Sequence, residues 1–434
     1  MGRHGGTPRD PRAALLVFAL AASVGLLTST PSLAGAKGSG GPTPVLLRAL
    51  PRPPVSGAEY GLFAQNVALS GSTAVVVAIH TDVPTNPCCY EEDQGAVLVY
   101  ERKGARWSST PIATLDAPQP IGQFGTSVAI SGSTIVVSDP LTNNNSGEVY
   151  LYVKQSHEWP LTPTVTLVDP LGATDDGFGN AVAISGDTIV IGAPGSAPVS
   201  SGVTYVYTKR SNGWPTTPTL TLPDPTGSPT NPSNDGFGNS VAVSGSTMMI
   251  AANGQGGNLG PVVYQYTDGS TGWSSIPNLI LTRPSPADYC FSNPTLSGRT
   301  ALFIGCYGTS HLVVYVYVEG RSGWVNGPAS TIEDPDPSRN DRFGEFLAIS
   351  GNTLIITASN IGQRTMAGTA YVYKKGNAGY WPVIPTATIP DPQATNGDQF
   401  GTSVAVSGTT ALIGARAADP DFLGSGAAYL YHVS

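Results

Sequence analysis

Phe178-Gly179-Asn180-Ala181-Val182-Ala183-Ile184-Ser185-Gly186, followed by Thr188-Ile189-Val190-Ile191-Gly192-Ala193-Pro194, reads as two apolar runs joined by a turn at Ser-Gly. Val203-Thr204-Tyr205-Val206-Tyr207 and Thr217-Pro218-Thr219-Leu220-Thr221-Leu222-Pro223-Asp224-Pro225 complete the unit. β-Branched residues and tyrosine fill the four runs, while Gly, Pro, Asn and Asp punctuate the joints. This is the pattern of short strands with no room for a helix between them. The first two runs are apolar almost without alternation, as expected of strands covered on both faces. The third and fourth alternate, which places them further from the centre.

The same string returns along the chain with drifting fidelity. Its closing glycine falls at Gly71, Gly132, Gly186, Gly245, Gly298, Gly351 and Gly408, at intervals of 61, 54, 59, 53, 53 and 57 residues. That period suits a small antiparallel sheet stacked beside its neighbour, so residues 43–434 are expected to form one all-β domain, a seven-bladed β-propeller of four-stranded antiparallel blades. Length alone would suggest about three domains at roughly 150 residues each, a prior that a continuous repeat overrides. All six tryptophans, Trp107, Trp159, Trp214, Trp273, Trp324 and Trp381, follow the third run of a unit. The seventh unit has no fourth run after Ala427-Ala428-Tyr429-Leu430-Tyr431, but Thr43-Pro44-Val45-Leu46-Leu47-Arg48-Ala49-Leu50-Pro51 resembles the fourth runs that begin Thr162-Pro163 and Thr217-Pro218. The amino-terminal strand is therefore expected to complete the last blade and close the ring, removing two open sheet edges.

Ahead of the repeats, Arg3, Arg9 and Arg12 precede an apolar run from Ala13 to Leu27 and the small-residue stretch Ser32-Leu33-Ala34-Gly35-Ala36. This reads as a secretory signal peptide over residues 1–36, then a short linker, 37–42. The apolar run is shorter than the ~20 residues that a membrane span needs, and no later segment qualifies. Loss of residues 1–36, with three arginines and one aspartate, would take the formal charge from −8 to −10. Such an acidic chain is a poor partner for nucleic acid or anionic lipid. The expected location is extracellular, at the cell surface or periplasmic, with no membrane insertion of the mature chain and a monomeric state.

Four cysteines fit export. Cys290, at the Phe position of the fifth repeat, and Cys306 each stand eight residues from Gly298, so a tight hairpin is expected to bring them into a disulfide. Cys88 and Cys89 are vicinal in the long loop of the first unit and either bond to each other or pair between chains.

Phe-Gly at the head of each unit, Val-Ala-Ile-Ser-Gly, and Ile191-Gly192-Ala193-Pro194 resemble the FG-GAP repeat, the unit of the seven-bladed propeller of integrin α chains and of many secreted bacterial proteins. The resemblance covers residues 60–434, with Phe63-Ala64 in place of Phe-Gly in the first unit. It implies the propeller fold and, by analogy, adhesion. In the integrin form the turn between the first two strands carries an Asp-rich calcium loop. Here that turn is Ser70-Gly71-Ser72-Thr73 and its equivalents, too short to wrap a cation that wants six to eight oxygens. The family's calcium sites therefore do not carry over, and no cofactor is expected.

Asp176, Asp235, Asp288, Asp341 and Asp398 lie two residues before the Phe position, and Asp169, Asp224, Asp334 and Asp391 end the fourth runs. Aspartates entering or leaving a turn accept backbone N–H bonds, which is their expected role. Asp334-x-Asp336-x-Ser338, with Glu345 at the twelfth position, imitates a calcium loop, but Arg339 stands where that loop needs glycine.

With four strands running alternately, the second-to-third and fourth-to-first connections emerge on one face, and the tight turns on the other. The long connections carry Asp82, Tyr90, Glu91, Glu92 and Asp93; Asp139 and Asn144; Tyr307; Arg364; and Asp419 and Asp421. Carboxylates, amides and aromatics gathered on one face suit sugar hydroxyls or a protein ligand. The expected function is a non-enzymatic recognition or adhesion module for an extracellular glycan or protein. The alternatives are an extracellular hydrolase acting on a polysaccharide or another surface polymer, and a structural envelope protein. Five scattered histidines, and the lack of a nucleophile elbow, phosphate loop or dinucleotide fingerprint, give the enzyme reading no motif.

Overall fold

The structure, a computed structural model, describes residues 43–51, 62–79, 95–119, 122–195, 201–226, 236–253, 260–285, 288–307, 311–337, 342–359, 367–393, 399–416 and 426–434. The leader and linker, 1–42, lie outside them. Seven antiparallel sheets follow one another in chain order as the blades of a propeller. In blade 3 the strands are Ala181–Ser185, Thr188–Ala193, Val203–Thr208 and Leu220–Pro223, paired in sequence order from the axis outward. Blades 1 and 4 add two-residue extensions, Arg106–Trp107 and Gly272–Trp273, to the same plan. Among the described residues no helix is long and apolar enough to cross a membrane.

The last blade is closed as expected. Val45–Pro51 pairs antiparallel with Ala427–His432, from Val45 opposite His432 to Pro51 opposite Ala427, with a register shift between Leu46 and Arg48. Leu50 is fully buried by this pairing, in the apolar layer between blades 7 and 1.

The core has no single centre. It is divided into seven apolar clusters, each built from the facing sides of two adjacent blades. Thr73–Ile79 shows how: Val75, Val77 and Ile79 face blade 2, while Ala74, Val76 and Ala78 face blade 7. Side chains alternate between faces with period two, and both faces meet apolar neighbours, so the run needs no polar residues. Six of the seven second strands are accordingly buried throughout. The third strands lie outside the first two, as expected, yet Glu148–Val153, Val203–Thr208 and Thr369–Lys374 are almost wholly buried. Their alternation of type is met on both sides by neighbouring blades, and only the fourth strands alternate in exposure, as in Leu220–Pro223. The first strands are partly exposed because they border the axis, as in Val128–Ser131.

The recurring Ser-Gly joins the blades to one another. The Gly132 N–H donates to Ser70 Oγ of the preceding blade at 3.1 Å, and Gly186 to Ser131, Gly245 to Ser185, Gly298 to Ser244, Gly351 to Ser297 and Gly408 to Ser350 repeat this at 2.9–3.0 Å. Gly71 donating to Ser407 at 2.9 Å completes the circle. Each of these glycines has positive φ and the residue after it does not, the pattern of a II′ hairpin turn that glycine adopts without strain. The motif is therefore a clasp between blades as well as a turn.

The tryptophans act at the same interfaces. Trp159 sits in the cluster between blades 1 and 2, beneath Lys154 at 5.6 Å from its ring, and its Nε1–H donates to Glu101 Oε1 of blade 1, which also pairs with Lys154. Trp107, Trp214 and Trp381 are likewise buried beneath Arg102, Lys209 and Lys375. At the seventh junction Val433 fills the space and its carbonyl accepts from Lys374 Nζ.

Blade 5 carries the predicted disulfide, Cys290–Cys306, across its first hairpin with a Cα separation of 5.2 Å. The assignment of Cys290 to the Phe position needs correction. Phe291, fully buried against Phe303, Tyr315 and Tyr317, fills the core, and register shifts on either side of it absorb the one-residue offset.

Candidate functional site on the long-loop face

Of the residues expected to face a ligand, Asp82, Tyr90, Glu91, Glu92, Asp93, Arg364, Asp419 and Asp421 lie outside the described residues, as do Cys88, Cys89 and Ser338. Tyr307 ends the second strand of blade 5, opposite His311, and its side chain is not among those described. Asp139 and Asn144 belong to one neighbourhood, where blade 2 meets blade 3.

There the second strand of blade 2, Thr134–Asp139, gives way to a short left-handed turn before the third strand, Glu148–Val153. Asn143, Asn144 and Asn145 all have φ between 53° and 62°. An L-residue pays roughly 1–2 kcal/mol for this conformation, least when it is asparagine. The turn is held from both ends. Gly147 N–H donates to the Thr142 carbonyl at 3.1 Å and Thr142 Oγ1 to the Asp139 carbonyl at 3.2 Å. Asn143 Nδ2 donates to Glu148 Oε1 at 2.5 Å, and Asn145 Nδ2 to Asp175 Oδ1 at 2.8 Å in the connection that leads into blade 3. Asn144, between them, is exposed, and its carboxamide makes no hydrogen bond among the described residues. Gly147 allows the junction: a Cβ there would come within 2.1 Å of the Phe178 carbonyl oxygen of blade 3.

Beneath the turn lie four acids. Asp139 and Glu148 stand opposite each other in the strand register, both buried. Asp139 Oδ1 accepts from the Gln123 N–H at 2.6 Å, its Oδ2 has no partner among the described residues, and Glu148 Oε2 accepts from Tyr150 OH at 2.5 Å. Burial above all, with Glu148 adding to it, pushes the Asp139 carboxyl up to about 6 against the pull of backbone N–H groups of Gln123 and Leu141. Asp176 is fully buried and accepts from the Phe178 N–H at 3.1 Å; burial and then the nearby Asp169 raise its pKa. Asp169 accepts from the Leu171 and Ala173 N–H groups and from Tyr205 OH.

These contacts separate structural acids from surface chemistry. Asp224, Asp334 and Asp391 accept from the amides of Thr226, Asp336 and Gln393 at 2.8–2.9 Å, so the aspartates ending fourth strands tie their own turns. Asp139 likewise supports the turn from below rather than facing solvent. Among the described residues no three His, Cys, Asp or Glu side chains gather as a metal centre. What faces outward is a polar cleft of about 770 Å³ lined by Leu141, Asn143, Asn144, Asn145, Thr174 and Asp175. Donors and acceptors of both kinds line it, which suits polyhydroxylated or peptidic ligands. Asp175 was not singled out from the sequence, since its partnership with Asn145 spans 30 residues and depends on two blades meeting.

The FG-GAP repeat model matches residues 121–152, 162–207, 329–373 and 386–431. The last three matches each open on the fourth strand of one blade and close on the third strand of the next, so the sequence repeat straddles two blades. No curated protein matches the chain significantly. Four segments of the chain thus match the FG-GAP repeat, and they lie within a seven-bladed β-propeller whose blades share one plan.

Proposed function

We propose that the protein is an exported, monomeric recognition or adhesion module that binds a glycan or protein on its long-loop face. The observation that carries this reading is the left-handed Asn143-Asn144-Asn145 turn. Backbone strain is held there by two blades, and it presents one unengaged carboxamide to an open polar cleft. Strain maintained at a surface turn is characteristic of sites that meet a ligand. The paired acids Asp139 and Glu148 are buried and engaged by the fold, so they lend no support to hydrolysis.

The test is a glycan array probed with the mature chain, residues 37–434, with calcium and again with chelator, beside pull-down on extracellular proteins of the source organism. Saturable binding that weakens on Asn144→Gly or Asn145→Ala supports the reading. Binding that requires calcium would return the family's metal to consideration, and silence on every arm would leave a structural envelope protein.

A further inference from the structure

A second polar cluster lies on the same face, where blades 6, 7 and 1 meet beside the axis. Arg416 follows the second strand of blade 7, Thr410–Ala415, and is half-buried. Its Nε–H donates to Gln399 Oε1, and Nη1 donates to Gln65 Oε1 at 3.1 Å, joining residues 351 apart. Both acceptors are neutral carboxamides. The guanidinium has five donors, so these two bonds orient its plane without neutralising its charge.

The nearby carboxylate is already engaged. Glu345 Oε1 accepts from Arg342 Nη1 at 3.0 Å and Oε2 from Ser359 Oγ at 3.3 Å. Among the described residues Glu345 forms an ion pair with Arg342, and Arg416 forms none. Burial lowers the Arg416 pKa, with Arg342 acting in the same direction and Glu345 against it, as expected of a partly desolvated cation short of counter-charge. Glu345 also lines an axial cleft of about 200 Å³, together with Asn66, Asn293, Ser403 and Phe346. That volume lies below the roughly 300–1,000 Å³ of pockets for drug-sized ligands. It has room for a single sugar residue at most. Asn66 spends both amide hydrogens on the Gly125 and Thr126 carbonyls, leaving its oxygen as an acceptor toward the cleft.

We propose that Arg416, oriented by Gln65 and Gln399 beside the axial cleft, is the recognition point for the carboxylate of an acidic sugar residue, whose hydroxyls meet Asn66, Asn293 and Ser403. A planar guanidinium with free N–H groups matches a carboxylate in bidentate fashion, and the carboxamides that hold it remove the side-chain entropy cost of finding that geometry. The inference rests on the glycan arm of the proposed function and specifies the sugar.

The full mature chain is titrated calorimetrically with a galacturonic acid tetramer and with a neutral galactose tetramer, at low and high salt. The uronate is expected to bind about tenfold to a hundredfold more tightly, the range of a hydrogen bond to a charged group, and to weaken with salt. Arg416→Gln should erase the preference with the melting temperature unchanged, and Gln65→Met should reduce it in part. Equal binding of both tetramers, or an unchanged preference in Arg416→Gln, overturns the assignment while leaving glycan recognition standing. Arg416-dependent binding of an acidic peptide but not the uronate overturns the sugar. Silence toward both tetramers and across the glycan array removes this inference and the glycan reading together.

Discussion

The two faces of the propeller are built on opposite rules. On the tight-turn face one arrangement repeats seven times: a glycine amide bonds to the serine of the preceding blade at 2.9–3.1 Å, and the last bond joins residues 336 apart. On the long-loop face the described neighbourhoods differ. Blade 2 holds three left-handed asparagines over buried acids, while blade 7 holds an arginine between two glutamines. The uniform face meets a requirement common to every junction, since each blade must dock on the last. The varied face is released from that requirement, because its connections lie beyond the paired strand ends.

The largest effect expected is on ring closure. A chain begun at Tyr60 loses Val45–Pro51 and exposes the third strand of blade 7. Truncating one buried leucine such as Leu50 costs about 2–5 kcal/mol, and loss of the whole strand should exceed that in thermal melting. An unchanged melting temperature would show that the Ser407–Gly71 clasp and the apolar layer hold the ring alone. Replacing Cys290 and Cys306 together by serine, across a sequence separation of 16, should cost about 3 kcal/mol in the chain-entropy model. Chemical denaturation checks this, and a negligible loss would assign the hairpin's stability to Phe291.

The pH dependence of stability distinguishes the faces next. Because the folded protein holds the Asp139 proton up to about 6, its contribution is fully present below the unfolded carboxyl range and is lost as pH rises through about 6. Asp139→Asn should flatten the melting profile between pH 4 and pH 8, with a relative gain on the order of 2–3 kcal/mol at the alkaline end, about 1.4 kcal/mol for each pKa unit. A parallel profile in the variant would refute the buried-acid account.

Ser185→Ala removes one of seven equivalent clasps, at about 0.5–1.5 kcal/mol. The same change at Ser131 or Ser244 should cost the same, and unequal losses in denaturant melts would break the uniformity argument. The smallest effect belongs to the varied face. Asn144→Gly should raise stability by up to about 1 kcal/mol by relieving the left-handed strain, while weakening ligand binding. Stabilisation with unaltered binding would make the turn a structural accident.

Strand runs, their order, the blade count, the ring-closing segment and the Cys290–Cys306 pair were all legible in sequence, because each follows from local periodicity or from a repeat that multiplies a weak signal seven times. Local patterning fell short where a neighbour decides the outcome. Third strands that alternate in type are buried by the blades on both sides, and a register shift places Phe291 rather than Cys290 in the core. The candidate site was legible only as a list of polar residues on one face. That Asp139 supports from below, that Asn145 reaches Asp175 across two blades, and that Arg416 is held by Gln65 from the far end of the chain were settled by tertiary structure. The physical reason is that backbone hydrogen bonding and apolar alternation act between near neighbours and leave a period in the sequence. A polar site is assembled from residues that become neighbours only when the ring closes, so nothing in their spacing announces it.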